Sequence, residues 1–106
     1  MPTHLKEWEE KEFDAALKEK GVIVVEFGAP WCGACKKTEP VVAEISHEFP
    51  NIKFAKIDVS TNPALASKMS IMSLPNILIF VDGKIKDQII GAAGHAKIKE
   101  KIQKLV

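Results

Sequence analysis

Two cysteines separated by two residues are the part of this sequence best suited to chemistry. Cys32 and Cys35 are its only cysteines, and they lie where a predicted strand passes into a predicted helix. Unpaired N–H groups and the helix dipole favour negative charge at a helix start, so a Cys32 thiolate would be stabilised there. Cys35 follows one turn later on the same face, and two sulfurs at that spacing can close and reopen a small disulfide ring. We therefore expect an exposed Cys32 to attack and a buried Cys35 to resolve the mixed disulfide.

Two other interpretations of the cysteine pair remain open, half of a zinc site and a pair of inert thiols. Zinc normally takes four ligands, and none of the three histidines, His4, His47 and His95, has ligand spacing to the cysteines. His47 is expected on a solvated helix face. Redox chemistry is favoured over both alternatives, because the pair lies beside a βαβ pattern, and no metal is expected.

The elements that must position the cysteines follow from hydrophobic periodicity and turn residues. A run of apolar β-forming residues predicts a strand at 22–27 that ends at Gly28-Ala29-Pro30. A helix is expected over 32–49, kinked at Pro40. The other predicted elements are a short edge strand within 1–8, a helix at 9–20, a strand at 52–59, a helix at 62–69, strands at 76–81 and 84–90 joined by Asp82-Gly83, and a helix at 96–106.

This order of elements predicts an α/β fold in a single domain spanning residues 1–106. A strand, a crossover helix and a parallel strand come first and an antiparallel hairpin follows near the C-terminus. One mixed central β-sheet should therefore carry helices on both faces. The length of 106 residues, with 46% hydrophobic and 27% charged residues, suits one globular domain.

Charge and hydropathy argue against several classes of partner. A formal net charge of +1 gives no basic stripe for nucleic acid and no attraction to an anionic membrane surface. No apolar run approaches the roughly eighteen residues of a membrane span. The first twelve residues hold no continuous apolar segment of the kind found in secretory signals. We therefore predict a cytoplasmic protein with no membrane and no nucleic-acid partner.

The sequence resembles the thioredoxin family over nearly its whole length, from about residue 13 to residue 105. The resemblance centres on Ala-Pro-Trp-Cys-Gly-Ala-Cys-Lys around the two cysteines. Its further features are Val-Val-Glu-Phe before that motif, Pro40, Ala-Lys-Ile-Asp at 55–58, Asn62-Pro63, Leu74-Pro75, Asp82-Gly83 and Gly91. The resemblance implies the thioredoxin fold and a redox disulfide between Cys32 and Cys35.

The resemblance also implies roles for residues around the disulfide. Glu26 would be the buried acid that takes the proton of Cys35, and Lys56 would be the lysine paired with it. Pro75 would follow a cis peptide bond and face the disulfide, and the Leu74 backbone would hydrogen-bond an extended substrate. The implied docking surface is apolar and comprises Trp31, Gly33, Ala34, Leu74, Pro75, Ile90, Gly91 and Ala92.

Each of these assignments has a plainer alternative. Glu26 could reach water from a strand end, Lys56 could be a surface lysine, and Pro75 could be a simple loop breaker. Ile90 could pack in the core. The methionines Met69 and Met72 are expected to fill packing gaps rather than bind anything.

The sequence departs from the usual thioredoxin pattern near the cysteines. Alanine stands at Ala34 where proline is usual, Glu26 replaces an aspartate, Gly28 a tryptophan and Asn76 a threonine, and the N-terminal strand looks shortened. Ala34 restores a backbone N–H near the Cys32 sulfur. We expect that N–H to stabilise the thiolate and make this protein a slightly weaker reductant than one with proline.

The implied function is that of a monomeric thiol–disulfide oxidoreductase that reduces protein disulfides. A separate thioredoxin reductase, linked to NADPH or ferredoxin, would recharge it. No bound cofactor is expected, because the chain lacks Gly-x-Gly-x-x-Gly and is too short for its own nucleotide domain. The competing functions are an oxidant or isomerase with a higher reduction potential and a non-redox binding or metal module with the same fold.

Overall fold

The computed structural model describes residues 5–106 as a sheet of five strands with four helices. Its elements are β1 Lys6–Glu7, α1 Glu10–Leu17, β2 Val22–Gly28, α2 Gly33–Ser46, β3 Lys53–Asp58, α3 Pro63–Lys68, β4 Asn76–Val81, β5 Lys84–Ile90 and α4 His95–Gln103. This succession confirms the predicted order. Within the predicted edge strand, a two-residue β1 forms, and residues 1–4 of that segment lie outside the described residues.

Helices α1, α2 and α4 each end three residues before the predicted boundary. The chain beyond α2 tightens into turns in which each N–H bonds the carbonyl three residues back, as His47 does to Glu44 and Glu48 to Ile45. Such tight turns satisfy the last helical carbonyls without continuing the helix. Pro40 lies inside α2 and does not end it; the kink stays a prediction.

The sheet is mixed, with strand order β1-β3-β2-β4-β5. β3 runs parallel to both β1 and β2, whereas β4 runs antiparallel to β2 and β5. β2 therefore lies at the centre of the sheet, and every residue from Ile23 to Phe27 is buried. This confirms the predicted α/β fold with its C-terminal hairpin. No helix in residues 5–106 is long and apolar enough to cross a membrane.

The core has two apolar layers, one on each face of the sheet. Along β2, Val25 and Phe27 belong to one layer, in which Phe13 packs edge-to-face against Phe27 and Phe80. Val24 belongs to the other layer, with residues of α2 and α4. Side chains alternate between the faces of a strand, so Glu26 shares the face of Val24, the face that α2 covers.

Candidate active site

A disulfide joins Cys32 and Cys35 at the start of α2, with their Cα atoms 5.2 Å apart. Cys32 is the N-cap of the helix, and its Sγ accepts a hydrogen bond of 3.2 Å from the Cys35 backbone N–H. A sulfur at this position lies at the positive end of the helix dipole. The predicted placement of the pair is confirmed, but the donor to the Cys32 sulfur is Cys35, not Ala34 as the sequence suggested.

Both cysteines are buried in this oxidised form, with 8% of Cys32 and 6% of Cys35 exposed. The expectation of an exposed Cys32 is therefore wrong for the disulfide state, in which its Sγ lies against the first turn of α2 and accepts the Cys35 N–H. Their surroundings still differ. Cys32 accepts the backbone hydrogen bond, whereas Cys35 lines a pocket that also contains Glu26.

Glu26 is a buried carboxyl group behind the disulfide, only 2% exposed. Among the described residues, neither of its oxygens has a hydrogen-bond partner. Burial raises the pKa of Glu26 from 4.5 to about 8, Glu39 adds to the rise by charge repulsion, and Lys56 opposes it. Glu26 thus does not reach water from a strand end, and it changes protonation state close to neutral pH.

Lys56 makes its ion pair with Glu39, not with Glu26 as the resemblance implied. The Lys56 Nζ lies 3.0 Å from Glu39 Oε2, although Lys56 is the register neighbour of Glu26 on the adjoining strand. Register neighbours on parallel strands share a face of the sheet. The long lysine side chain nevertheless reaches the Glu39 carboxylate, which is more solvated than that of Glu26. Glu39 is a site residue that the sequence analysis missed. Its position four residues after Cys35, on the same helix face, was the available signal.

A pocket of about 220 Å³ lies beside Cys35 and Glu26. Gly28 forms part of its wall, and a Cβ atom at this glycine would lie 3.1 Å from Cys35 Sγ. The absence of a side chain at Gly28 therefore leaves the space between this pocket and the buried Cys35 sulfur unfilled.

The Leu74–Pro75 peptide bond is cis, as the resemblance implied. Pro75 is buried, and its carbonyl accepts a hydrogen bond of 2.8 Å from the Gly91 N–H. This bond links two segments of the implied docking surface.

The predicted docking residues include two large exposed apolar side chains. Trp31 is 73% exposed and Ile90 is 59% exposed, so Ile90 is not a core residue. Gly33 and Ala92 are exposed, and Ala34, Leu74 and Gly91 are partly exposed.

The two methionines near this surface behave differently. Met69 packs against the core as predicted, but Met72 is 92% exposed and fills no gap. The departure at Asn76 is accommodated in the core, since this buried side chain accepts a hydrogen bond from Gln88.

In residues 5–106, no group of three His, Cys, Asp or Glu side chains could hold a metal ion. His47 is exposed, and His95 Nε2 lies 2.8 Å from Glu48 Oε2, away from the cysteines. His4 lies outside the described residues.

Comparisons with known proteins agree with this geometry. The thioredoxin family profile matches residues 4–104, which is nearly the whole chain. The chain belongs to the thioredoxin family. It is 39% identical over 98 residues to the thioredoxin of Bacillus subtilis, covering 92% of this chain and 89% of that protein. Among solved structures, a thioredoxin from Nicotiana alata superposes with a TM-score of 0.88 at 28% identity, covering 99% of this chain and 95% of that chain.

Some thioredoxin relatives are much longer than this chain. It is 41% identical over 91 residues to the chloroplastic M-type thioredoxin of Brassica napus, which covers 85% of this chain but only 51% of that protein. The chain thus spans about half the length of such relatives.

Proposed function

We propose that this thioredoxin-family chain is a protein-disulfide reductase that works through the Cys32/Cys35 dithiol. The observation that carries the proposal is the arrangement of three features around one sulfur pair. The disulfide lies at the start of α2, and the buried carboxyl group of Glu26 shares a pocket with Cys35. The exposed apolar side chains of Trp31 and Ile90 belong to the implied docking surface. The first feature stabilises a thiolate, the second offers a proton acceptor, and the third offers a surface for a protein substrate.

The reaction follows from these positions. In the reduced protein, the Cys32 thiolate attacks one sulfur of the substrate disulfide, forming a mixed disulfide and releasing the first substrate thiolate. The Cys35 thiol gives its proton to Glu26, and the resulting thiolate attacks the Cys32 sulfur. That step closes the Cys32–Cys35 disulfide and releases the second substrate thiolate. Two electrons pass to the substrate. An acceptor with a pKa of about 8 suits a thiol donor near neutral pH.

The partners follow from the same chemistry. The substrate is a protein with an accessible disulfide, which docks against Trp31 and Ile90 while the Leu74 backbone pairs with its extended segment. A thioredoxin reductase, linked to NADPH or ferredoxin, returns the two electrons. We propose a monomeric single domain that acts in the cytoplasm, because a dithiol reductant needs a compartment that keeps thiols reduced.

The reduction potential separates this function from that of an oxidant or isomerase. The reference value for thioredoxins is about −270 mV, whereas a disulfide isomerase lies near −180 mV. Equilibration of the purified protein with a reference dithiol, followed by stoichiometric transfer of electrons to insulin disulfides, tests the proposal. We expect a value close to the thioredoxin reference and release of insulin thiols. A potential near the isomerase value, with no release of insulin thiols, would identify an oxidant.

A further inference from the structure

The pocket beside Cys35 gives this sulfur an opening of its own. Cys35 lines the pocket and Cys32 does not. The opening exists because Gly28 has no side chain, since a Cβ there would come within 3.1 Å of Cys35 Sγ. At about 220 Å³, the pocket exceeds the roughly 10–15 Å³ that one water needs but falls below the ~300 Å³ of a drug-sized site. It is too small for a protein segment and large enough for a molecule of a few atoms.

The chemistry of thiol–disulfide exchange favours attack at the sulfur that this pocket reaches. The rate rises when the departing thiolate is the more stabilised one. Attack on Cys35 expels the Cys32 thiolate, which retains the Cys35 N–H hydrogen bond and the helix dipole. Attack on Cys32 expels the less stabilised Cys35 thiolate. Attack on Cys35 is therefore the faster route, and its rate depends on whether a thiol can reach the Cys35 sulfur.

The pocket lining selects the charge of the molecule that enters. Glu26 is buried, has no hydrogen-bond partner among the described residues and faces this cavity. Glu7 and Asp58 also line the pocket. Lys56 is paired with Glu39, which leaves Lys36 as the other lysine among the described lining residues. Even while Glu26 is protonated, Glu7 and Asp58 outnumber Lys36, and this surplus of negative charge favours a cation over an anion.

We propose that this pocket is a second entrance to the disulfide, through which a small thiol with a positively charged amine attacks Cys35. The attacking thiolate bonds to Cys35 Sγ, and the Cys32–Cys35 bond breaks with its electron pair leaving on Cys32. A second small thiolate then attacks the bound thiol's sulfur and releases a small disulfide and the Cys35 thiolate. Two small thiols are oxidised and the protein disulfide gains two electrons. This inference rests on the proposed function, because the small thiols would reduce the same Cys32–Cys35 disulfide that the proposed reaction forms.

The test compares reduction of the oxidised protein by cysteamine and by mercaptoacetate, two thiols of similar size and opposite charge. Gly28→Ala narrows the entrance at the sulfur, and Ala29→Met fills the pocket from another wall without a Cβ placed against Cys35. Gly94→Ala is the matched control, because a Cβ at this glycine meets nothing within 4 Å. We expect both pocket variants to lower the cysteamine rate by about tenfold or more, with the mercaptoacetate rate and the control within about twofold of the parent.

Mass mapping of the early, acid-quenched reaction completes the test. The proposal expects the cysteamine adduct on Cys35. An adduct mainly on Cys32, or equal losses of rate for both thiols in the pocket variants, would overturn it. Single-turnover reduction of insulin by the reduced proteins keeps the two proposals apart. If the parent reduces insulin but the pocket variants do not change the cysteamine rate, the second entrance fails alone. If the parent does not reduce insulin, the proposed function fails.

Discussion

The Lys56 ammonium lies 3.0 Å from Glu39 Oε2, and the Leu5 N–H donates to the same oxygen at 2.9 Å. Glu39 therefore ties α2 to β3 and to the residue before β1. Glu26 shares the pocket with this pair but takes part in neither contact. Burial is the largest cause that raises the pKa of Glu26 to about 8, repulsion by the Glu39 charge adds to the rise, and the Lys56 charge only partly offsets the two.

Substitutions in this pair should move the Glu26 pKa in opposite directions. Lys56→Met removes the charge that lowers the pKa and should raise it above about 8, whereas Glu39→Gln removes a charge that raises it and should lower it. Carboxyl NMR titration of the oxidised protein measures both shifts. Lys53→Met, which breaks the exposed pair with Glu19, is the control and should leave the Glu26 titration unchanged. Shifts of the same sign in the two test variants would contradict the account.

Glu26→Gln should change how stability depends on pH. The folded-state pKa of Glu26 is raised from 4.5 to about 8, so between these values the folded protein binds more protons than the unfolded chain. Stability must therefore fall as pH rises through that window, by up to ~1.4 kcal/mol per pH unit from this group. The glutamine variant lacks this loss. Urea unfolding of the oxidised proteins between pH 5 and about 8 should show the free energy of unfolding of the variant rising relative to that of the parent as pH increases. If the two free energies change in parallel with pH, the assignment of the raised pKa to Glu26 is wrong.

The same substitution should slow one step of the reaction. Glu26→Gln removes the proton acceptor of Cys35, so closure of the mixed disulfide should slow by about tenfold or more. The first attack by Cys32 should change by much less. Rapid-quench analysis of the mixed disulfide and of the released substrate thiols resolves the two steps, and Glu26→Asp should recover part of the closure rate. Equal closure rates in parent and glutamine variant across neutral pH would remove Glu26 from the mechanism.

Ala34→Pro should have a smaller effect on the reduction potential than the sequence suggested. Loss of an N–H donor to a thiolate would make the protein more reducing by roughly 10–30 mV. The donor to Cys32 Sγ is the Cys35 N–H, which the proline variant retains. We therefore expect a shift below that range when both proteins are equilibrated with the same reference dithiol. A proline variant more reducing by the full amount would show that the Ala34 N–H bonds to the thiolate.

The sequence predicted the fold and the centre of the site because local patterns determine them. The apolar run of β2 required a strand covered on both faces, which also buried Glu26. The two cysteines fell at the start of α2 because the strand's end and the helix's periodicity both marked that point. The cis bond before Pro75 came from family resemblance, since composition alone gives no reason to expect one.

The features that the sequence did not predict depend on how distant elements pack. The partner of Lys56 depends on how α2 lies over the sheet, and a lysine stem reaches more than one carboxylate. Met72 was expected to fill a gap, but the segment before Pro75 holds it out in solvent. Cys32 is buried in the disulfide form, where its sulfur lies against the first turn of α2 and accepts the Cys35 N–H, and hydrophobic periodicity does not predict this contact.

The assignment of Cys32 as nucleophile and Cys35 as resolving cysteine is tested most directly by trapping the mixed disulfide. Reduced Cys35→Ser and Cys32→Ser proteins are each mixed with insulin, quenched with acid and analysed by mass. The account predicts that Cys35→Ser accumulates a covalent complex through Cys32, because attack proceeds and closure cannot. Cys32→Ser should form none. A stable complex through Cys35 in the Cys32→Ser protein, with none in Cys35→Ser, would reverse the roles and contradict the mechanism.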